Sequence, residues 1–159
     1  MNFKAQRITK TYQQVNCGSP EVVFPLLCPV READWLEDWE YTMIYSESGL
    51  AERGCIFSTK FNQDKSTYWY ISVYDIESKN IEFVRITDKE VAVKINIHLD
   101  DNYDGTTTST ISYEYTALTE KQNDWIEKES DKYFTEMMVE WEKSINHYII
   151  TGEKLIAKK

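Results

Sequence analysis

The sequence predicts an α+β domain in which a curved antiparallel sheet of seven strands packs against one long C-terminal helix. Apolar and polar residues alternate with a period of two over much of residues 41–115, as strands with one buried and one wet face require. Pro25 and Pro29 restrict the helices that follow the first strand to short lengths. No Gly or Pro occurs from Thr119 to Ile150, where the apolar residues share one helical face.

Length and composition are those of one globular domain spanning residues 1–159. The residues are 42% hydrophobic and 28% charged, and no Gly-, Ser- or Pro-rich linker divides the chain. The net charge of −9 disfavours binding to nucleic acids or to anionic membranes, because both need a basic face. No apolar run approaches the ~20 residues of a membrane span. Three widely spaced cysteines, Cys17, Cys28 and Cys55, match no disulfide or zinc pattern.

These features together lead us to expect a cytoplasmic protein with no membrane span, no metal and no cofactor. Only two histidines occur, and His98 and His147 both fall on polar faces of their predicted elements. No Gly-rich phosphate loop and no Gly-x-Ser-x-Gly elbow is present. The sequence leaves the oligomeric state open.

The first part of the chain is predicted to form a strand followed by two short helices. Residues 6–15 are rich in β-branched and aromatic side chains and lack Gly and Pro, which favours a strand. A helix begins after Ser19, where a hydroxyl N-cap, a proline and an acidic residue follow one another. A second short helix is expected at about residues 31–36.

Six further strands are predicted from alternating apolar and polar residues separated by turn residues. The segments are 41–46, 55–61, 67–74, 81–86, 90–98 and 107–115. Strict alternation in the segment 67–74 places Val73 on the same face as Trp69, and Tyr74 on the opposite face. Which faces of the segments 67–73 and 81–86 point inward stays open at this point.

The last segment is predicted to be one continuous helix of about 31 residues, or roughly 45 Å. Thr119 and Gln122 form a capping box in which each side chain bonds a backbone amide, and Gly152 is placed to end the helix. Its apolar face consists of Phe134, Met137, Met138, Trp141, Ile145, Tyr148 and Ile149. This helix is the only predicted element large enough to cover the sheet. Side chains are not expected to fill all the space between them, so an interior cavity is predicted.

The chain resembles the START-like superfamily, also called SRPBCC or the birch-pollen-allergen-like helix-grip fold. The resemblance is carried by the order of elements and by the segment 23–32 (VFPLLCPVRE), followed by Trp35 and Trp39. It covers nearly the whole chain, and part of the segment is similar to uncharacterised bacterial members. The resemblance implies the helix-grip fold. Its relatives include polyketide cyclases, lipid-transfer domains, plant hormone receptors and Hsp90 ATPase activators, so the resemblance does not by itself assign a function.

Eight residues are expected to line the cavity and to contact a small hydrophobic or amphipathic molecule. They are Trp69, Phe83, Arg85, Ile95, Tyr113, Phe134, Met138 and Trp141. Arg85 shares a strand face with Phe83. If that face points inward, Arg85 can anchor an acidic ligand group, because a buried guanidinium needs a partner; if it points outward, Arg85 is an ordinary surface residue. Arg31 and Glu32 begin the second short helix, and two roles are open for them. They either cap the helix or form an ion pair, or they contact the ligand.

Three functions remain open on the sequence alone. The leading hypothesis is binding of a small hydrophobic or amphipathic molecule between the sheet and the helix. The second is an enzyme of the polyketide cyclase or aromatase type, which needs an acid–base pair in the cavity. Its catalytic residues are unknown, and the available candidates are Arg85, Glu114 and the tyrosines. The third is a protein-interaction module resembling Hsp90 ATPase activators, which needs an exposed apolar patch outside the cavity.

Overall fold

The computed structural model describes residues 2–157 and contains one curved antiparallel sheet with helices on its inner side. The strands are β1 (Arg7–Asn16), β2 (Thr42–Tyr45), β3 (Ile56–Lys60), β4 (Ser66–Asp75), β5 (Asn80–Thr87), β6 (Val91–Asp101) and β7 (Thr107–Ala117). Their order across the sheet is β1-β7-β6-β5-β4-β3-β2, so the first strand pairs with the last and the others form successive hairpins. The predicted α+β class and the seven-stranded antiparallel sheet are confirmed.

Two short α-helices follow β1, as predicted. They are α1 (Pro20–Val23) and α2 (Pro29–Trp35), with a 3-10 turn at Phe24–Leu27 between them. Each α-helix starts on a proline, whose missing N–H is one of the donors that a helix start leaves unpaired in any case. Ser19 occupies the N-cap position of α1, but its side chain makes no cap hydrogen bond.

The prediction of one continuous C-terminal helix is wrong, because the segment forms two helices. These are α3 (Glu120–Lys128) and α4 (Ser130–Thr151), separated at Glu129, whose φ is −126° and ψ is −18°. The buried Ser130 hydroxyl donates to the Ile126 carbonyl at 2.6 Å, and bonds of this kind bend helices. The 22 residues of α4 still give a helix of about 33 Å, long enough to lie across the sheet.

The two ends of this helical segment lie where the sequence places them. The Thr119 hydroxyl accepts a hydrogen bond from the Gln122 N–H at 3.3 Å, as the capping box predicts. The second predicted bond of the capping box, from the Gln122 side chain to a backbone amide, is wrong. The Gln122 side-chain amide donates to the Glu90 carboxylate at 2.6 Å instead. Gly152, with φ of +75°, ends α4 and donates its N–H to the Tyr148 carbonyl at 2.7 Å.

A β-bulge in β4 changes the predicted alternation of that strand. The pairing with β5 shifts between Ile71 and Val73, so Ser72 is an extra residue without a partner across the ladder. After the bulge, Tyr74 points inward and stacks on Phe24 at 5.4 Å between ring centroids. The prediction that Val73 shares the face of Trp69 is therefore wrong. The stack connects the end of β4 to the 3-10 turn.

The core lies between the inner face of the sheet and the helices. Trp35 of α2 is fully buried and meets Trp141 of α4 edge to face, with ring centroids 5.1 Å apart. The Trp35 indole donates to the Leu26 carbonyl at 2.9 Å, so the ring is oriented as well as packed. This aromatic pair holds the short helices against α4.

Within residues 2–157, no helix is long and apolar enough to cross a membrane.

Helix α4 is also hydrogen-bonded to the edge strand β1. The Tyr12 hydroxyl and the Val15 N–H donate to the two carboxylate oxygens of Glu142, at 2.7 and 3.1 Å. The Asn146 side chain accepts from the Cys17 N–H at 3.0 Å and donates to the Val15 carbonyl at 2.9 Å. These bonds fix the helix at this end of the sheet and occupy backbone groups that an edge strand leaves unpaired.

Candidate ligand-binding cavity

A cavity of about 490 Å³ lies between the inner face of the sheet and α4. Side chains from β3 to β7 form one wall, and α4 contributes Met137, Met138 and Trp141 to the other. Glu32, in α2, and Trp39, beyond its end, close one side. The volume lies within the range of about 300–1,000 Å³ that is typical of small-molecule sites.

Seven of the eight predicted site residues line this cavity. They are Trp69, Phe83, Arg85, Ile95, Tyr113, Met138 and Trp141. The eighth, Phe134, does not line the cavity, because the Tyr113 ring lies against it edge to face at 5.3 Å. Phe134 is only 3% exposed and supports Tyr113 as part of the core. Contact of the seven lining residues with a ligand stays a prediction.

The pairing of β4 with β5 decides the direction of Arg85. Trp69 lies directly opposite Arg85 in the ladder, and both side chains line the cavity. The Arg85 guanidinium carbon is 5.4 Å from the centre of the Trp69 ring, a cation–π contact. Of the two alternatives for Arg85, the structure thus shows the inward orientation.

An aromatic cluster forms the wall around Trp69. Phe57 stacks on Trp69 at 5.2 Å, while Phe83 and Trp39 meet it edge to face at 5.8 and 6.1 Å. The Trp69 indole N–H donates to the Thr59 hydroxyl at 2.9 Å. The ring is therefore held on several sides, and this wall is already formed before any ligand binds.

Arg31 and Glu32 have different surroundings, and ligand contact by Glu32 stays a prediction. Arg31 Nε pairs with Asp34 at 3.0 Å on the surface of α2. Glu32 lines the cavity, and burial raises the pKa of its carboxyl group well above the usual range. The sequence carries no periodic signal for this, because α2 ends at Trp35, and Leu36 and Trp39, which also line the cavity, lie beyond its end.

Tyr113 lies within the electrostatic influence of Arg85 and Glu32, two of the ionisable residues that line the cavity. Burial raises the pKa of Tyr113 to about 12. The positive charge of Arg85 opposes this rise, and Glu32 adds to it. The hydroxyl of Tyr113 therefore stays protonated at neutral pH and is available as a hydrogen-bond donor.

A smaller chamber of about 210 Å³ adjoins the main cavity. Phe61, Arg85 and Tyr133 line both spaces, so these three side chains stand between them. Tyr115 and Trp125 line the smaller chamber alone. Arg85 is thus accessible from two adjoining spaces, one large and one small.

The outer face of the sheet carries a separate apolar patch. Tyr68, Tyr70 and Ile86 are 58%, 45% and 49% exposed. Tyr68 lies directly opposite Ile86 between β4 and β5, and alternate residues of a strand point to opposite faces. The patch therefore does not contribute to the cavity, and it matches the surface that the protein-interaction hypothesis requires.

Within residues 2–157, no group of three or more His, Cys, Asp and Glu side chains is placed to hold a metal ion.

Solved structures of several proteins are similar to this chain. Norcoclaurine synthase from Thalictrum flavum has a TM-score of 0.67 and 14% identity, covering 92% of this chain and 88% of that one. An uncharacterised protein from Rhizobium leguminosarum has a TM-score of 0.61 and 11% identity, covering 78% of this chain and 86% of that one. The Zhui aromatase/cyclase from Streptomyces sp. R1128 has a TM-score of 0.55 and 5% identity, covering 72% and 70%.

These similarities extend over most of each chain, but they are structural rather than sequence similarities. No protein-family model and no curated protein matches the sequence. At such low identity a shared architecture does not carry over an activity, and the similar structures include both enzymes and an uncharacterised protein. The resemblance found in the sequence is confirmed for the architecture: the chain has a helix-grip fold, with a curved seven-stranded antiparallel sheet and a long C-terminal helix.

Proposed function

We propose that this protein binds one small hydrophobic or amphipathic molecule in the cavity between the sheet and α4. The observation that carries the proposal is the cavity of about 490 Å³, whose wall is mainly aromatic and aliphatic. A few polar groups, those of Glu32, Arg85 and Tyr113, face the same space. An apolar wall with a small number of polar groups is typical of sites for small molecules.

The physical basis of binding would be burial of apolar surface. Each Å² of apolar area removed from water contributes about 25 cal/mol. Because the aromatic contacts around Trp69 already hold the wall in place, little conformational freedom is lost when a ligand enters. The polar groups would then set the orientation of the ligand.

Titration with the neutral dye N-phenylnaphthylamine tests this proposal, because its fluorescence rises in apolar surroundings. We expect saturable binding of one dye molecule. Ile95→Trp places a larger side chain into the cavity, and an overpacked site should weaken binding by about 1–2 kcal/mol, or about 5- to 30-fold in Kd. Lys94→Trp is the matched control, because Lys94 precedes Ile95 on β6 but points outward.

The proposal is contradicted if the wild type shows no saturable binding, or if Ile95→Trp and Lys94→Trp bind the dye equally well. Circular dichroism of both variants verifies that the fold is retained. Native mass spectrometry of freshly purified protein adds an independent measurement, since a co-purifying small molecule would increase the mass of the folded chain.

A second candidate function is catalysis on the bound molecule, of the cyclase or aromatase type. Glu32 is the observation that favours it, because burial in the cavity favours the protonated carboxyl group that a general acid requires. The expected result is that the wild type converts a co-purifying ligand, whereas Glu32→Gln binds it without conversion. Mass spectrometry of the extracted small molecule measures this, and recovery of unchanged ligand from the wild type would exclude catalysis on that compound.

A further inference from the structure

Two buried hydrogen-bond donors of the smaller chamber lack a partner. Within residues 2–157, neither Arg85 Nε nor the Tyr115 hydroxyl makes a hydrogen bond, although both atoms are buried. Both residues line this chamber, and Tyr115 is only 2% exposed. An unpaired buried donor is destabilising, so the site lacks an acceptor that the chain itself does not supply.

The pairing of the strands brings these two donors to one place. Arg85 of β5 lies opposite Val93 of β6, and Val93 lies opposite Tyr115 of β7. The three residues thus form one row across the inner face of the sheet. Val93 is the smallest of the three, so the longer side chains of Arg85 and Tyr115 extend above it on either side. Both side chains also line the smaller chamber, so one acceptor group in that chamber can contact both.

Arg85 also has no counter-charge in the described part of the chain. Within residues 2–157, no carboxylate oxygen lies within 4.0 Å of its guanidinium nitrogens. The Trp69 ring holds the guanidinium at 5.4 Å, but it brings no negative charge. Burial raises the pKa of Tyr115, and the nearby positive charge of Arg85 opposes that rise.

We infer that the ligand is an amphipathic carboxylic acid, whose carboxylate accepts hydrogen bonds from Arg85 and Tyr115 while its apolar part fills the main cavity. A carboxylate presents two acceptor oxygens in one plane, which is the geometry a guanidinium fork matches. One cation balances one negative charge, so a second charge on the head group would find no partner. This inference rests on the proposed function and specifies its ligand class.

Dodecanoate and dodecanol test the inference, because they share one chain and differ in the head group. Each is used to displace N-phenylnaphthylamine at neutral pH, below its aggregation concentration. The wild type should bind dodecanoate at least about 10-fold more tightly than dodecanol. Dodecyl phosphate, the third arm, should bind less tightly than dodecanoate, since its second charge finds no partner; tighter binding would assign the site to phosphate esters and overturn the inference.

Arg85→Met removes the charge while keeping an apolar stem, and it should bring the ratio of the two affinities close to one. Arg85→Lys keeps the charge without the planar fork and should retain part of the preference. Tyr115→Phe should weaken dodecanoate binding by about 3-fold or more. Lys94→Met is the matched control, because it removes an exposed cation from the outer face of the neighbouring strand, and its affinity ratio should equal that of the wild type.

The outcomes separate the inference from the function on which it rests. If the wild type binds dodecanol and dodecanoate equally, or if Arg85→Met keeps the preference, the inference is overturned and the proposed function stands. If neither amphiphile nor the dye binds to the folded wild type, both are overturned. Near-ultraviolet circular dichroism of each variant shows whether the aromatic wall is intact.

Discussion

Glu32 and Arg31 are neighbours in one short helix, yet their surroundings give them opposite roles. The helix turns by about 100° per residue, so Arg31 reaches Asp34 at the surface while Glu32 points into the cavity. Burial then raises the pKa of the Glu32 carboxyl group well above the usual range. A group whose charged form is disfavoured in the folded state makes the stability of the protein depend on pH.

Replacing Glu32 by Gln should therefore stabilise the protein at neutral pH. Above the usual glutamate pKa of 4.5, the unfolded chain loses a proton that the folded chain retains, so the wild-type free energy of unfolding falls as the pH rises toward the elevated pKa. Gln has no charge to bury, and each unit of pKa difference between the folded and unfolded states corresponds to about 1.4 kcal/mol, which sets the scale of the gain. Urea unfolding from acid to neutral pH measures it.

The control for this experiment is Glu140→Gln. Glu140 also borders the cavity, but its side chain is 69% exposed and pairs with Lys143. This variant should follow the wild-type dependence of stability on pH. Equal stabilisation by the two substitutions, or a neutral-pH loss of stability in Glu32→Gln, would show that burial of the Glu32 carboxyl group is not the cause.

At the scale of whole elements, the contact between α4 and the edge strand β1 depends on a few polar side chains. Glu142 and Asn146 lie four residues apart, so they project from one side of the helix toward the end of β1. Together they bond backbone groups of Val15 and Cys17 that no second strand covers. The helix thus closes the edge that a neighbouring strand would otherwise occupy.

Asn146→Ala should destabilise the protein by about 1–2 kcal/mol, because three hydrogen-bonding groups lose a partner and water can replace it only in part. Chemical denaturation measures the change in the free energy of unfolding. Lys143→Ala, on the exposed side of the same helix, should change it by no more than about 0.5 kcal/mol. Similar losses in the two variants would contradict a specific role for Asn146.

The sequence predicts the elements well where a repeated pattern defines them and poorly where one residue departs from it. Composition locates the first strand and period-two alternation the six others, and the alternation places Arg85 on the face of Phe83. Two departures have no such signal. Ser72 is compatible with an ordinary strand position, and Glu129 with the interior of a helix, so neither the bulge nor the helix break could be predicted. Tertiary packing decides both.

At the scale of the whole molecule, the two edges of the sheet are secured to different degrees. All ten residues of β1 pair with β7, and α4 covers the outer side of the strand. The opposite edge, β2, has four residues, and its pairing with β3 shifts between Met43 and Tyr45. Thr59 and Phe61, which border the cavity, lie on or next to β3. Local opening of the sheet at the β2 edge therefore requires less free energy than opening at the β1 edge, and it gives access to the cavity.

Amide hydrogen exchange should show this difference directly. We expect the amides of β2 and β3 to exchange faster than those of β6 and β7, since short edge strands open locally. N-phenylnaphthylamine should slow exchange in β3, because a bound molecule stabilises the closed state. Mass spectrometry of peptic fragments measures the rates. The Ile95→Trp variant should show less protection by the dye, and exchange that is uniform over the sheet would contradict the expected asymmetry.

The extra residue in β4 divides that strand into two parts that can evolve independently. The part before Ser72 presents Trp69 to the cavity, whereas the part after it presents Tyr74 to Phe24 in the 3-10 turn. With the proposed function, substitutions in the first part should alter which molecule the cavity accepts, and those in the second should alter how firmly the proline-containing segment is attached. The specificity of the cavity can thereby change while the architecture is retained.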